Sequence, residues 1–329
     1  MAEFRALEEP ILPTKKLSVI VVGCTPLARK VISSIESIVD LKGVINLTQE
    51  AGKKKSLYDH LTEFTNKNPD KVFLTDDINS PATQGWIRSL LPEVIVQCGW
   101  SQIFTKDTLK LPTLFSIGIH PAPLPVGRGA AIINWKIIEG GGPWGNSLFV
   151  MESKTDTGDI LDFEPFRIED DDDIVIAYKK VDESAVTMLL RTLPMIADDI
   201  FTRTVQDEEK ATRYFKRTKK DGLMDFFWSA TKILRYIRAL TRPYPGAFFN
   251  IKGNTFRGEL FCWSAKDGGD SDGNPPGTII EVTTDRGIKI AVGSRTSVWL
   301  TEVTPPNEES ISAYEWAKQR RIGAGYKFI

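Results

Sequence analysis

Short apolar runs alternate with amphipathic stretches through the first two hundred or so residues, and the pattern then shifts to short strands with Gly and Pro turns. The first pattern predicts an α/β fold, a Rossmann-like, mostly parallel sheet with helices on both faces. The second predicts a small C-terminal β-barrel of OB-like type. The expected organisation is a domain over 1–203, a polar, basic linker over 204–222 and the barrel over 223–329.

Residues 17–23 (Leu-Ser-Val-Ile-Val-Val-Gly) read as a buried parallel strand, because a strand covered on both faces is continuously apolar. A helix follows over 26–40, with Pro26 in its first turn. Strands are expected over 43–47, 71–74 and 93–98, with helices over 56–67, capped by Ser56, and over 80–91. Residues 115–119 form the next strand, and a helix over 130–139 stops at the glycines of 140–142. Strands over 147–151 and 159–166 flank a turn at Asp156. The acidic run 169–173 precedes a helix reaching about 201, and acid there reads as capping rather than as a metal site. A helix over 229–240 leads into strands over 247–251, 255–263, 278–283, 288–292 and 298–302. Residues 268–276 read as a loop open to disorder.

Composition is that of a soluble globular chain with net charge −1. No apolar run approaches the roughly 18 residues that span a bilayer, and residues 1–13 do not resemble a signal peptide, so a cytoplasmic location without membrane contact is expected. Cys24, Cys98 and Cys262 suit neither a zinc site nor a disulfide. Residues 1–200 carry an excess of roughly seven negative charges and the remainder roughly six positive ones, much of the latter between Arg203 and Arg242. That stretch reads either as an anion-binding face or as a solvated linker and helix. Gly23 opens no G-x-G-x-x-G turn, Gly52-Lys53 is no phosphate loop, and no G-x-S-x-G elbow occurs.

His60 and His120 are the only histidines. His120 closes an apolar strand and opens a loop of prolines and glycines, a place where parallel sheets carry active sites. Pro121, Pro123 and Pro125 stiffen that loop, Gly127 and Gly129 let backbone approach a ligand, and Arg128 offers a fixed cation. Further on, residues 156–159 (Asp-Thr-Gly-Asp) put a carboxylate on a sharp turn. A histidine and a carboxylate brought together can move protons during chemistry at an acyl group.

Residues 120–129 (His-Pro-Ala-Pro-Leu-Pro-Val-Gly-Arg-Gly), 131–135, the Asp156 turn, 221–226 and 237–247 together resemble the 10-formyltetrahydrofolate-dependent formyltransferases, from about residue 17 to the end. The resemblance implies formyl transfer from 10-formyltetrahydrofolate to a primary amine, without a metal. It implies catalytic roles for His120 and for Asp156, which would orient and stabilise the imidazole. The family commonly has Asn two residues before the histidine, holding the developing oxyanion; here that position is Gly118, which keeps a folate hydrolase or a non-catalytic folate binder in view. The resemblance places the pterin against Gln97, Cys98, Gly99, Trp100 and Ser101, with Leu124, Pro125 and Thr155 on the folate side. Trp100 reads equally as core. Arg128 and Gly129 are candidates for binding the acceptor, Arg128 equally for a loop-fixing ion pair. The form of the His120 loop favours a small-molecule acceptor, a nucleotide-linked amino sugar, over methionyl-tRNA.

Overall fold

The structure, a computed structural model, describes residues 14–55, 57–253 and 256–328. The expectations for residues 1–13, for Ser56 as a cap and for Thr255 as a strand residue lie outside them. The chain divides into two units, the second built from Ile133–Gly142, Ile168–Tyr178 and the residues from Phe215 onward, the first from the remainder.

The strands of the first unit are β1 (Ser18–Val22), β2 (Asp40–Asn46), β3 (Val72–Leu74), β4 (Val94–Gln97), β5 (Phe115–His120), β6 (Arg128–Gly129), β7 (Gly142–Val150), β8 (Ile160–Ile168) and β9 (Arg213–Tyr214). Seven form one sheet in the order β3-β2-β1-β4-β5-β7-β8. The pairings from β3 through β5 are parallel, and β7 runs antiparallel to β5. The apolar runs are continuous because both faces are covered. Val19, Val21, Val94, Val96 and Ile117 pack with Val31 and Ile35 of the helix Pro26–Ile35 and with Met188 and Leu193 of the helix Ile174–Ala197. Ile20, Val22, Ile45 and Ile95 pack on the other face with Ile87 of the helix Pro81–Leu90 and with Trp100 and Phe104. The order of the sheet reverses between β1 and β4, the place where open parallel sheets commonly bind ligands beyond the carboxyl ends of their strands.

Element types agree with the sequence expectation, and several bounds move. The first helix ends at Ile35 and β2 begins already at Asp40. The helix expected over 56–67 is only Thr62–Lys67. The residues before it are spent on tertiary bonds: Asp59 N–H donates to Cys24 O, Asn46 Nδ2 to Asp59 O and Tyr58 Oη to Leu47 O. Asp173 Oδ1 accepts from the N–H groups of Val175 and Ile176, so this acid caps its helix as expected.

The 204–222 segment, read as a linker, divides. Residues up to Tyr214 belong to the first unit, where Thr204 pairs with Ile160 and β9 pairs parallel with β6. Residues from Phe215 belong to the second, where Arg217 lies 4.6 Å over the Trp135 ring and Lys219 pairs with Glu259 at 2.6 Å.

In the second unit the sheet runs Leu223–Met224, Ala247–Lys252, Arg257–Asp270, Thr296–Thr304, Gly287–Val292, Ile279–Thr283, with Ile311–Ser312 beside Thr296–Thr304. Its pairings are antiparallel apart from that of Leu223–Met224 with Ala247–Lys252. The loop expected over 268–276 is partly strand, because the chain pairs on with Thr296–Thr304, Gly269 beside Ser297 and Asp270 beside Thr296. No helix among the described residues is long and apolar enough to cross a membrane.

Candidate active site

β5 ends on His120, whose side chain is buried. The loop beyond is fixed at its backbone. Trp144 Nε1 donates to Pro121 O at 2.7 Å, and Ser147 Oγ donates to Ala122 O at 2.7 Å while accepting from Leu124 N–H at 3.0 Å. Gly127 N–H donates to Thr212 Oγ1 at 2.8 Å. His120 Nε2 stands 2.7 Å from Gly127 O. A carbonyl oxygen only accepts, so Nε2 carries the proton and Nδ1 of the neutral ring presents its lone pair. Nδ1 faces Asp156 Oδ1 at 3.7 Å.

Asp156 sits at φ +63 on its turn, a left-handed conformation that Asp adopts more readily than most residues. Its Oδ2 accepts from Gly129 N–H at 2.8 Å, and its carbonyl accepts from Gln206 Nε2 at 3.0 Å. The glycine of the Asp-Thr-Gly-Asp turn is dictated by packing, since a Cβ on Gly158 would lie 1.8 Å from Val150 O. Gly129 is equally forced, at φ +110 with a Cβ position 2.0 Å from Tyr214 O. The structure thus brings His120, Asp156 and Gly129 together, and gives Gly129 the task of holding Asp156.

Arg128 has its guanidinium engaged within the chain. It is 5% exposed, donates from Nε and Nη2 to Gln206 Oε1 at 3.1 and 2.8 Å, and donates from Nη1 and Nη2 to Glu208 at 2.9 and 2.6 Å. The expectation of an anion-binding arginine gives way to the ion pair. Replacing Arg128 with Ala is therefore expected to lower the melting temperature by about 4 °C or more, leaving folate affinity nearly unchanged. Thermal unfolding beside a folate titration checks this, and weakened folate binding at an unchanged melting temperature would contradict it.

The residues after β4 part company. Cys98 is fully buried among the side chains of the face opposite to Trp100. The close approach at Gly99 is to Thr25, whose Oγ1 would lie 2.0 Å from a Cβ there. Trp100 is core, 6% exposed, and also lines a cavity of about 430 Å³ together with Leu47, Lys54, Lys55, Ser101 and Gln102. Ser101 Oγ accepts from Lys55 Nζ at 2.6 Å, and Gln97 Nε2 donates to Trp100 O at 2.5 Å. Leu124 is buried in the fixed loop, whereas Thr155 is exposed beside Asp156. Gly118 has Phe149 over it, with a Cβ position 2.8 Å from Cε1 and 2.9 Å from Cζ of that ring. Sequence reasoning missed Trp144, Ser147, Gln206 and Thr212; only tertiary contact reveals them.

Two family models match the chain. Residues 16–193 match the formyl transferase model and residues 216–321 the formyl transferase C-terminal domain model. This chain belongs to the formyl transferase family. The expected family, enzyme class and fold are thereby borne out. This formyl transferase is 32% identical over 237 residues to the bifunctional polymyxin resistance protein ArnA of Wigglesworthia glossinidia brevipalpis, a match covering 72% of the chain but only 36% of that relative. It is 30% identical over 256 residues to methionyl-tRNA formyltransferase of Bacillus licheniformis, covering 78% of the chain and 79% of the relative. Among solved structures, the N-formyltransferase of Helicobacter canadensis, in complex with folinic acid and dTDP-3-aminofucose, superposes with a TM-score of 0.63 at 13% identity, covering 86% of this chain and 98% of that one.

Proposed function

We propose that this formyl transferase moves a formyl group from 10-formyltetrahydrofolate to the primary amine of a nucleotide-linked amino sugar. The observation that carries the chemistry is the His120–Asp156 pair, with Nε2 committed to Gly127 O and Nδ1 left as the basic atom. The amine lone pair attacks the formyl carbon, and the carbonyl π pair moves onto oxygen. The new ammonium proton passes to His120 Nδ1, beside the Asp156 carboxylate. The tetrahedral centre then collapses, the oxygen lone pair re-forms the carbonyl, the bond from carbon to N10 breaks, and N10 takes the pair and the proton from His120. The products are a formamide and tetrahydrofolate. No step needs a metal.

This reading assigns the pterin to the carboxyl ends of β1 and β4. Thr25 Oγ1 and Trp100 Nε1, buried beyond the carboxyl ends of these strands, have no hydrogen-bond partner among the described residues. A polar heteroaromatic ring would satisfy such groups, which are otherwise costly to bury.

Support for a compact acceptor is of two kinds. The Helicobacter canadensis enzyme, bound to an amino-sugar nucleotide, shares the fold. Several cations of the basic stretch are already engaged: Lys210 with Asp207, Lys219 with Glu259, Arg242 with Glu302. Methionyl-tRNA is the second reading, favoured by the Bacillus licheniformis relative. The deciding experiment follows tetrahydrofolate release with dTDP-3-aminofucose, other nucleotide-linked amino sugars, methionyl-tRNA or no acceptor. Turnover requiring an amino sugar supports the proposal. Turnover requiring tRNA, with the steep salt dependence of phosphate contacts, replaces it. Equal turnover without acceptor makes the protein a hydrolase.

A further inference from the structure

A carbonyl that becomes tetrahedral gathers negative charge on oxygen, and a fixed N–H aimed at that oxygen lowers the barrier. At the carboxyl end of the sheet four residues stand in register: Val22 beside Gln97, Gln97 beside Gly118, Gly118 beside Phe149. Residues in register share a face of the sheet, and side chains alternate along a strand, so this row faces the same side as His120. His120 lies two residues beyond Gly118, about 7 Å along the strand, and Gln97 about 5 Å across from Gly118.

Valine, glycine and phenylalanine have no side-chain hydrogen-bond donor, and the Phe149 ring occupies the space over Gly118. Gln97 alone in the row has a donor. Among the described residues its carboxamide makes one hydrogen bond, from Nε2 to Trp100 O at 2.5 Å, and an amide nitrogen carries two N–H groups. One therefore orients the group and one is left over, beside a glycine that itself carries no donor.

We infer that Gln97 is the oxyanion donor of this active site. Its free N–H donates to the formyl oxygen as the π pair moves there, while His120 Nδ1 takes the proton from the attacking nitrogen. This gives the Gln97 side chain a task separate from the backbone contacts with pterin expected of its segment. The inference rests on the formyl-transfer reading above.

The test uses the full chain, 10-formyltetrahydrofolate and the acceptor panel above, with 5-formyltetrahydrofolate as a non-reacting probe of folate affinity. Gln97→Leu is expected to lower kcat about a hundredfold, with probe affinity within about threefold of wild type. Adding Gly118→Asn with Phe149→Ala restores a carboxamide to the row with space to hold it, and is expected to recover at least about tenfold of that loss. A Gln97→Leu protein keeping more than about a third of kcat, or losing kcat only in step with probe affinity, overturns the inference. So does a folded triple variant no faster than Gln97→Leu. Wild-type protein that releases no formyl group with any acceptor, or without one, overturns the transfer reading and this inference with it.

Discussion

Replacing His120 with alanine is expected to reduce kcat for formyl transfer by about a thousandfold or more, the upper part of the range for a positioned acid–base group. The size follows from the lack of a substitute. His60, the other imidazole, stacks edge-on against Tyr58. Asp156, the nearest titratable neighbour, already accepts from Gly129 N–H. Alanine also leaves Gly127 O without its partner, at a cost of about 1 kcal/mol or somewhat more. Stability and chemistry therefore have to be read separately, by thermal unfolding and by single turnover well below the melting temperature. A folded His120→Ala protein transferring at the wild-type rate would remove His120 from the mechanism.

Asp156→Asn is the sharper test, because it preserves nearly everything else. Asparagine tolerates the left-handed backbone at φ +63, and its side-chain oxygen can still accept from Gly129 N–H. What changes is the group facing His120 Nδ1. A carboxylate oxygen at 3.7 Å can only accept, and so welcomes a proton on Nδ1; an amide turned the same way donates to Nδ1 and occupies its lone pair. The expected loss in kcat is about a hundredfold to a thousandfold, with the melting temperature within about 2 °C of wild type. Asp156→Val sets the contrast. A β-branched residue resists positive φ, and the hydrogen bond to Gly129 disappears, so stability falls together with rate. Unaltered kcat in folded Asp156→Asn would leave Asp156 as a purely structural turn residue.

Both members of this pair were legible in the sequence, because each carries a local signature. His120 follows an apolar strand and precedes a proline loop, and Asp156 lies in a turn whose glycine the backbone demands. The mostly parallel sheet followed from the alternation of elements, since parallel neighbours need crossover helices. The misses have a common cause. The helix expected from Ser56 onward has helical composition, but the ends of β1 and β2 claim its first residues as hydrogen-bond partners. Arg128 looked available because Glu208, its partner, lies 80 residues away. Gly118 could be read as a missing side chain, but not that Phe149, from the antiparallel neighbour, covers the gap.

Gln206 and Thr212 mean that the candidate site is closed by a segment made long after the residues it holds. During synthesis Gly127 leaves the ribosome 85 residues ahead of Thr212, and Asp156 precedes Gln206 by 50. The central strands of the sheet are all present by then, so the fold can form before the catalytic loop has its last clasps. A nascent chain stopped after Ala197 would carry the histidine and the carboxylate yet lack the bonds that fix their surroundings. Competence to react is thus postponed to the stretch that ends at Tyr214, and a fragment cut at the apparent end of the parallel sheet would inherit the scaffold without the chemistry.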